Sequence, residues 1–309
     1  VTVDAIYLEF YGLREAPFDI TPDPRFVFLS ERHRDALAHL VYGIGQGGSG
    51  GFVQLTGEVG TGKTTLSRLL LGQLPERTRV ALVLNPRQSP VELLESIADE
   101  LRLDIEGARG SAKALVDRLN HYLLDAYAQG LRVVLIVDEA QQLPVEALEQ
   151  IRLLTNLETP TQKLLQIILI GQPELREGLA RSEVRQLAQR IMLDRAELRQ
   201  LAQRVTARYH LMPLDEDETE AYLRHRLAVA GATRHPFTRL AMRCLHRRSG
   251  GVPRLINVIA ERALLAGYVA DELQVGERLV EHAADEVLGV TGRRRSRGAL
   301  LAAALVAVV

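Results

Sequence analysis

Val53-Gln54-Leu55-Thr56-Gly57-Glu58-Val59-Gly60-Thr61-Gly62-Lys63-Thr64-Thr65 satisfies the pattern G-x-x-x-x-G-K-[ST] without exception. The apolar residues at its start predict a buried strand, and Leu66 to Leu74 after it predict a helix. A phosphate-binding loop requires that strand–loop–helix setting. A polyphosphate is approached by backbone N–H groups, which explains glycine at positions 57, 60 and 62, where a side chain would obstruct or φ is positive. Lys63 is placed to reach the β- and γ-phosphates, and Thr64 to put its hydroxyl on Mg²⁺. The helix start adds free N–H groups and the positive end of its dipole. Gly57, Glu58, Val59, Gly60, Thr61, Gly62, Lys63, Thr64 and Thr65 are therefore the expected phosphate-binding residues.

The second chemical signal follows Leu131 to Val137, a nearly continuous apolar run that reads as a strand buried on both faces. It ends in Asp138-Glu139-Ala140-Gln141. A carboxylate at the carboxyl end of a buried parallel strand can hold Mg²⁺ through water, and the next can orient or deprotonate an attacking water. Asp138 is assigned to the metal and Glu139 to catalysis; the competing explanation is that both cap the following helix. Leu164 to Ile170 is another apolar strand, stopping at Gly171-Gln172-Pro173-Glu174. Gln172 there can sense a γ-phosphate, or it belongs to an ordinary turn before a Pro-initiated helix.

Length and composition frame these motifs. A chain of 309 residues suits one α/β domain with a smaller one beside it. With 38 basic against 39 acidic residues, there is no global electrostatic case for nucleic acid. The one cysteine, Cys244, has no internal disulfide partner and reads as a buried inert thiol. No repeated Cys/His spacing suggests zinc.

Upstream of the loop, Glu9 to Pro24 reads as an irregular segment anchored by Phe10, Phe18 and Ile20. Ser30 caps a helix over Glu31 to Ile44, on which His33 reads as a surface or capping residue. Downstream, Arg79 to Leu84 is an expected strand, and Ser89-Pro90-Val91-Glu92 starts a helix running to about Leu103. Ala112 to Ala128 is an amphipathic helix. Val205 to Leu211 offers a fifth strand, after which Asp217 to Ala230, Pro236 to Arg247, Pro253 to Tyr268 and Val280 to Val287 form a small helical bundle. Arg254, just inside a helix start, gains nothing from the dipole, and it is explained by a ligand phosphate or is a simple surface arginine.

Two stretches stand out from this pattern. Arg181 to Asp194 and Arg195 to Arg208 align without gaps and share Arg-Gln-Leu-Ala-Gln-Arg. Arg190 and Arg204 are candidate fingers for a neighbour's nucleotide, or solvated helix arginines. Ala299 to Val309 holds no polar side chain and follows Arg293, Arg294, Arg295 and Arg297. Too short to cross a bilayer, which needs about 20 residues, it reads as the first half of a membrane helix with basic residues at its boundary, the alternative being a frayed apolar tail or a terminal core helix.

Taken together, TPDPRFVFLSERHRDALAHL, LTGEVGTGKTT, LIVDEAQ, LLQIILIGQPEL, LRQLAQRVTARYHL and GGVPRLINVIAERALL resemble the ExeA-type AAA+ ATPases of the general (type II) secretion pathway, over about residues 7 to 290. The resemblance implies a P-loop AAA+ core with a five-stranded parallel sheet and a small C-terminal helical lid, with MgATP bound between them. It implies that Gly57 to Thr65 is Walker A, that Asp138 and Glu139 complete Walker B, that Gln172 lies at sensor one and Arg254 at sensor two. Expected boundaries are 1–50 for an N-terminal segment and helix packed on the core, 51–213 for the core, 214–290 for the lid and 291–309 for a basic juxtamembrane segment entering the membrane helix. The resemblance further implies a homo-oligomer on the cytoplasmic face of the bacterial inner membrane and a partner protein in that membrane. Peptidoglycan would be met only through a C-terminal region outside this sequence, and the role would be support of secretin assembly. The tandem repeat departs from the family pattern, which has one such copy, and leaves the finger open between Arg190 and Arg204. The alternatives are a DNA-associated ATPase resembling transposition accessory proteins, and a nucleotide-gated scaffold with little turnover.

Overall fold

The computed structural model describes residues 6–21, 23–45, 52–159, 162–175 and 205–289. The chain divides into two compact units, Glu31–Met212 and a second built from Val1–Ser30 with Pro213–Val309.

The first unit is an α/β layer structure. Its strands are β1 (Phe52–Gly57), β2 (Thr78–Val83), β3 (Arg132–Val137), β4 (Leu165–Gly171) and β5 (Val205–Leu211). They form one sheet in the order β2-β3-β4-β1-β5, with every pairing parallel. β1 and β4 are buried along their whole length, Gln54, Thr56 and Gln166 included, as strands covered on both faces are. Among the described residues the α-helices of this unit are α1 (Glu31–Gly45), α2 (Lys63–Gly72), α3 (Pro90–Glu100), α4 (Ala112–Ala128) and α5 (Val145–Leu154). A core of Leu93, Leu94, Ile97, Leu115, Leu119, Leu123, Leu148 and Ile151 joins α3, α4 and α5 to Leu135, Ile167 and Leu169 of the sheet. α1 packs on β5, β1 and α2, with Val53 so close to Gly43 that a Cβ there would meet its methyl at 2.5 Å. Ser89 and Glu92 form the capping box that starts α3, as the Ser-Pro-Val-Glu order predicts.

Sheet order positions the chemistry. β4 lies between β1 and β3, so the strand ends carrying the phosphate loop, residue 172 and residues 138–139 are neighbours at the carboxyl edge. That edge, where consecutive strands part to opposite sides, is where open α/β sheets bind ligands.

The second unit is helical. A short helix, Ile6–Tyr11, and a 3₁₀ turn, Pro24–Phe26, precede Glu216–Val229, Arg239–Ser249, Pro253–Val269 and Glu277–Leu288, which complete the described bundle. The sequence predicts an N-terminal segment packed on the nucleotide core; its buried side chains Tyr7, Tyr11, Leu13, Phe18 and Phe26 lie instead in the core of the C-terminal helices. Phe18 meets Phe237 edge-on at 6.0 Å, and Phe10 meets Tyr268 at 5.5 Å. The buried Arg226 explains the attachment: its guanidinium donates to the carbonyls of Pro17 and Asp19 and lies 4.9 Å over the Phe26 ring. Phe18 is an anchor as expected, whereas Ile20 is 60% exposed. The expected helix from Pro236 begins three residues later, because Phe237 forms a parallel bridge with Val275 and Thr238 becomes the cap.

No helix among the described residues is long and apolar enough to cross a membrane. The apolar tail at 299–309 and its arginines lie outside the described residues, as does most of the tandem repeat, including Arg190 and Arg204.

Candidate nucleotide site

Gly57 closes β1, and a Cβ on it would meet the Leu211 carbonyl oxygen at 2.8 Å and Thr61 Oγ1 at 2.9 Å. Gly60 and Gly62 have φ of +84° and +102°, in the region that favours glycine. Thr61 closes the turn, its Oγ1 donating to the Glu58 carbonyl at 2.9 Å. Lys63 curls back over the loop and donates its Nζ to the carbonyls of Gly57 and Glu58, both at 2.8 Å. Burial pulls its pKa below the usual lysine value, against the opposing field of Glu139 and Asp138. A buried ammonium held by neutral carbonyls is ready to exchange them for anionic phosphate oxygens, which are stronger acceptors.

Asp138 stands at the end of β3, its N–H donating to the Val83 carbonyl at 2.9 Å. Its Oδ2 accepts the Thr64 hydroxyl at 3.0 Å and its Oδ1 accepts the Glu139 N–H at 2.9 Å. Burial pushes this carboxyl above the usual range, and the two hydrogen bonds oppose the rise. A hydroxyl and a carboxylate brought together beside a glycine-lined loop are a hard oxygen donor pair, and they fit Mg²⁺. Glu139, at φ +52°, is in the left-handed region, an unusual conformation for a residue with a Cβ. Its Oε2 accepts the Gln141 amide at 2.6 Å. Gln172 follows β4 and donates its main-chain N–H to Gln141 Oε1 at 3.0 Å.

Lys63, Thr64, Asp138, Glu139 and Gln172 thus converge at the ends of three adjacent strands. Arg254 belongs to the helical unit, where it is exposed at the second position of Pro253–Val269.

Two neighbours of the site carry no obvious sequence signal. His33 is buried rather than superficial, with its Nε2 3.0 Å from the Thr61 carbonyl oxygen. A carbonyl only accepts, so Nε2 carries the hydrogen. Gln141, inside the Asp-Glu-Ala-Gln run, links Glu139 to the end of β4.

Elsewhere, Cys244, Glu277 and Glu281 cluster closely enough to suggest metal ligands. Arg247 pairs with both carboxylates, at 3.1 and 2.6 Å, and Arg248 pairs with Glu281 and Asp285. These carboxylates are already matched by guanidinium groups, and the cluster is an ion-pair network. Arg243, on the same helix, pairs with Glu216, so these three arginines do not form an unpaired basic face.

A family model described as an AAA domain matches residues 46–179. The chain is 50% identical over 285 residues to General secretion pathway protein A of Aeromonas hydrophila, an alignment covering 92% of this chain and 49% of that protein. The chain therefore spans about half the length of the curated relative it matches. Among solved structures, Cdc6p from Pyrobaculum aerophilum is similar with a TM-score of 0.62 at 17% identity, covering 84% of this chain and 67% of that one. The Aeropyrum pernix ORC2 protein, in ADPNP-ADP complexes, gives a TM-score of 0.58 at 18% identity over 87% of this chain and 70% of that one. Drosophila ORC bound to DNA gives 0.61 at 18% identity over 88% of this chain and 64% of that one. At these identities the likeness is one of fold, the P-loop AAA+ architecture.

Proposed function

We propose that this chain, which belongs to the ExeA-type AAA+ family of the general secretion pathway, binds MgATP at the ends of β1, β3 and β4 and hydrolyses it. The observation that carries the reading is the meeting of Thr64 with Asp138 beside a glycine loop that has no room for side chains at Gly57.

ATP supplies the phosphoanhydride, and Mg²⁺ neutralises charge on its phosphates. Lys63 gives up the carbonyls of Gly57 and Glu58 for phosphate oxygens. Thr64, by its hydroxyl, and Asp138, by its carboxylate, would hold the metal. Glu139 orients the attacking water and takes its proton on the carboxylate. Gln172 acts as sensor one, and Arg254, exposed on the helical unit, is the family's candidate for sensor two. Arg190 or Arg204 acts in trans on a neighbouring copy of the chain, so the working form is a homo-oligomer.

Family membership supports coupling of this cycle to secretin assembly with a partner in the inner membrane. The arginines at 293, 294, 295 and 297 ahead of the apolar residues 299–309 favour contact with that membrane from its cytoplasmic side. Titration with a fluorescent ATP analogue, with Mg²⁺ or with EDTA, tests the site itself. Binding should require Mg²⁺ for full affinity and weaken about 100-fold in Lys63→Ala, which removes charge-assisted hydrogen bonds. Equal affinity in wild type and variant would overturn the reading.

A further inference from the structure

The carboxamide of Gln141 makes two bonds of opposite sense. Its Nε2 donates to Glu139 Oε2 at 2.6 Å, and its Oε1 accepts the Gln172 N–H at 3.0 Å. Neither end can be exchanged: a carboxylate only accepts and a main-chain N–H only donates, so the amide has one orientation. The local backbone is bent to allow this, with Glu139 in the left-handed region directly before the short 3₁₀ turn Ala140–Gln142. β4 leaves space for the same amide. A Cβ on Gly171 would meet Gln141 Oε1 at 2.6 Å. A neutral amide here also serves the carboxylate better than an acid would, since a second carboxylate would repel Glu139.

We propose that Gln141 is a positioning residue for ATP hydrolysis: it fixes the carboxylate of Glu139 and ties that orientation to the main chain at the end of β4. A shift of Gln172 is then transmitted to the group that activates water. The proposal rests on Glu139 having that role.

The test is steady-state ATP hydrolysis, nucleotide affinity and thermal stability of the 309-residue chain as wild type, Gln141→Ala, Gly171→Ala, the double variant and Glu139→Gln. Gln141→Ala should lower kcat about tenfold, with nucleotide affinity within about twofold of wild type, because the amide touches neither the phosphate loop nor the metal pair. Gly171→Ala should give the same selective loss by pressing on Oε1. In the double variant the second change should cost little more in kcat, since the added methyl has no side-chain amide to displace and meets only Leu175 Cδ2 at 3.2 Å and the main-chain N of residue 141 at 3.3 Å. A structural role alone would lower stability and affinity together and give additive losses. Unchanged kcat in Gln141→Ala, with turnover abolished in Glu139→Gln, would overturn the role of Gln141 and leave the ATPase reading intact. Absence of turnover in wild type, or full turnover in Glu139→Gln, would overturn both.

Discussion

The hydroxyl of Thr64 donates to Oδ2 of Asp138 at 3.0 Å, although β4 separates the strands that precede them. This contact joins two motifs 74 residues apart into one oxygen donor set. Removing the hydroxyl should therefore remove the benefit of the metal rather than phosphate contact itself. Thr64→Val is expected to bind nucleotide about equally with Mg²⁺ and with EDTA, whereas Thr64→Ser should keep most of the Mg²⁺ enhancement. Titrations of the two variants under both conditions check this.

His33 braces the loop from α1, its Nε2–H donating to the Thr61 carbonyl at 3.0 Å. A Cβ on Gly62 would meet the same nitrogen at 3.1 Å, so the imidazole also fills the space behind the loop. His33→Ala should weaken nucleotide affinity about tenfold, the worth of one well-placed buried hydrogen bond. The variant's dissociation constant, measured beside its melting temperature, separates loss of the brace from loss of the fold.

Gly251 in the helical unit admits no side chain. Its φ is +74°, and a Cβ would lie 1.9 Å from the Leu214 carbonyl oxygen, while Leu214 N–H donates to the Gly251 carbonyl at 2.9 Å. Gly251→Ala should destabilise by on the order of 3 kcal/mol, from backbone strain and overpacking together. Gly250→Ala, at φ +61° with open space around it, should cost about 1 kcal/mol. Gly276→Ala, with ordinary φ and open space, should be nearly neutral. Denaturant midpoints for the three variants should fall in that order.

Burial first, and then the hydrogen bond and charge of Glu281, push the Cys244 thiol up to about 12. The folded value lies above the unfolded one of about 8.5, so the unfolded chain loses its proton first as pH rises. This contribution to stability is complete below about pH 8.5 and is lost progressively toward pH 12. At pH 8 the native thiol should resist iodoacetamide for hours and react within minutes once unfolded, as mass spectrometry of the alkylated protein would record. Rapid alkylation of the native protein would contradict the buried environment.

Much of this architecture is legible in the sequence because its signals are local. The glycine spacing at 57, 60 and 62, the nearly continuous apolar run to Val137 and the helix start at Ser89-Pro90-Val91-Glu92 each predict a structure from adjacent residues, and each is found. Val205–Leu211 is a strand over the expected residues. What escaped depends on partners distant in the chain. His33 looks like a polar residue on an amphipathic helix until the fold sets it against Thr61, 28 residues on. Ile20 resembles an anchor by hydropathy, yet the buried places in its segment go to Tyr7, Tyr11 and Phe26. The attachment of residues 6–28 to the helical unit follows from Arg226, whose carbonyl partners are about 200 residues away in sequence.

ATP turnover by wild type and Glu139→Gln, followed across protein concentration, tests the central claim most directly. Turnover per chain should rise with concentration as neighbouring copies complete the site, and should vanish in Glu139→Gln while nucleotide binding persists. Nucleotide binding without turnover at any concentration, or undiminished turnover in Glu139→Gln, would contradict the account.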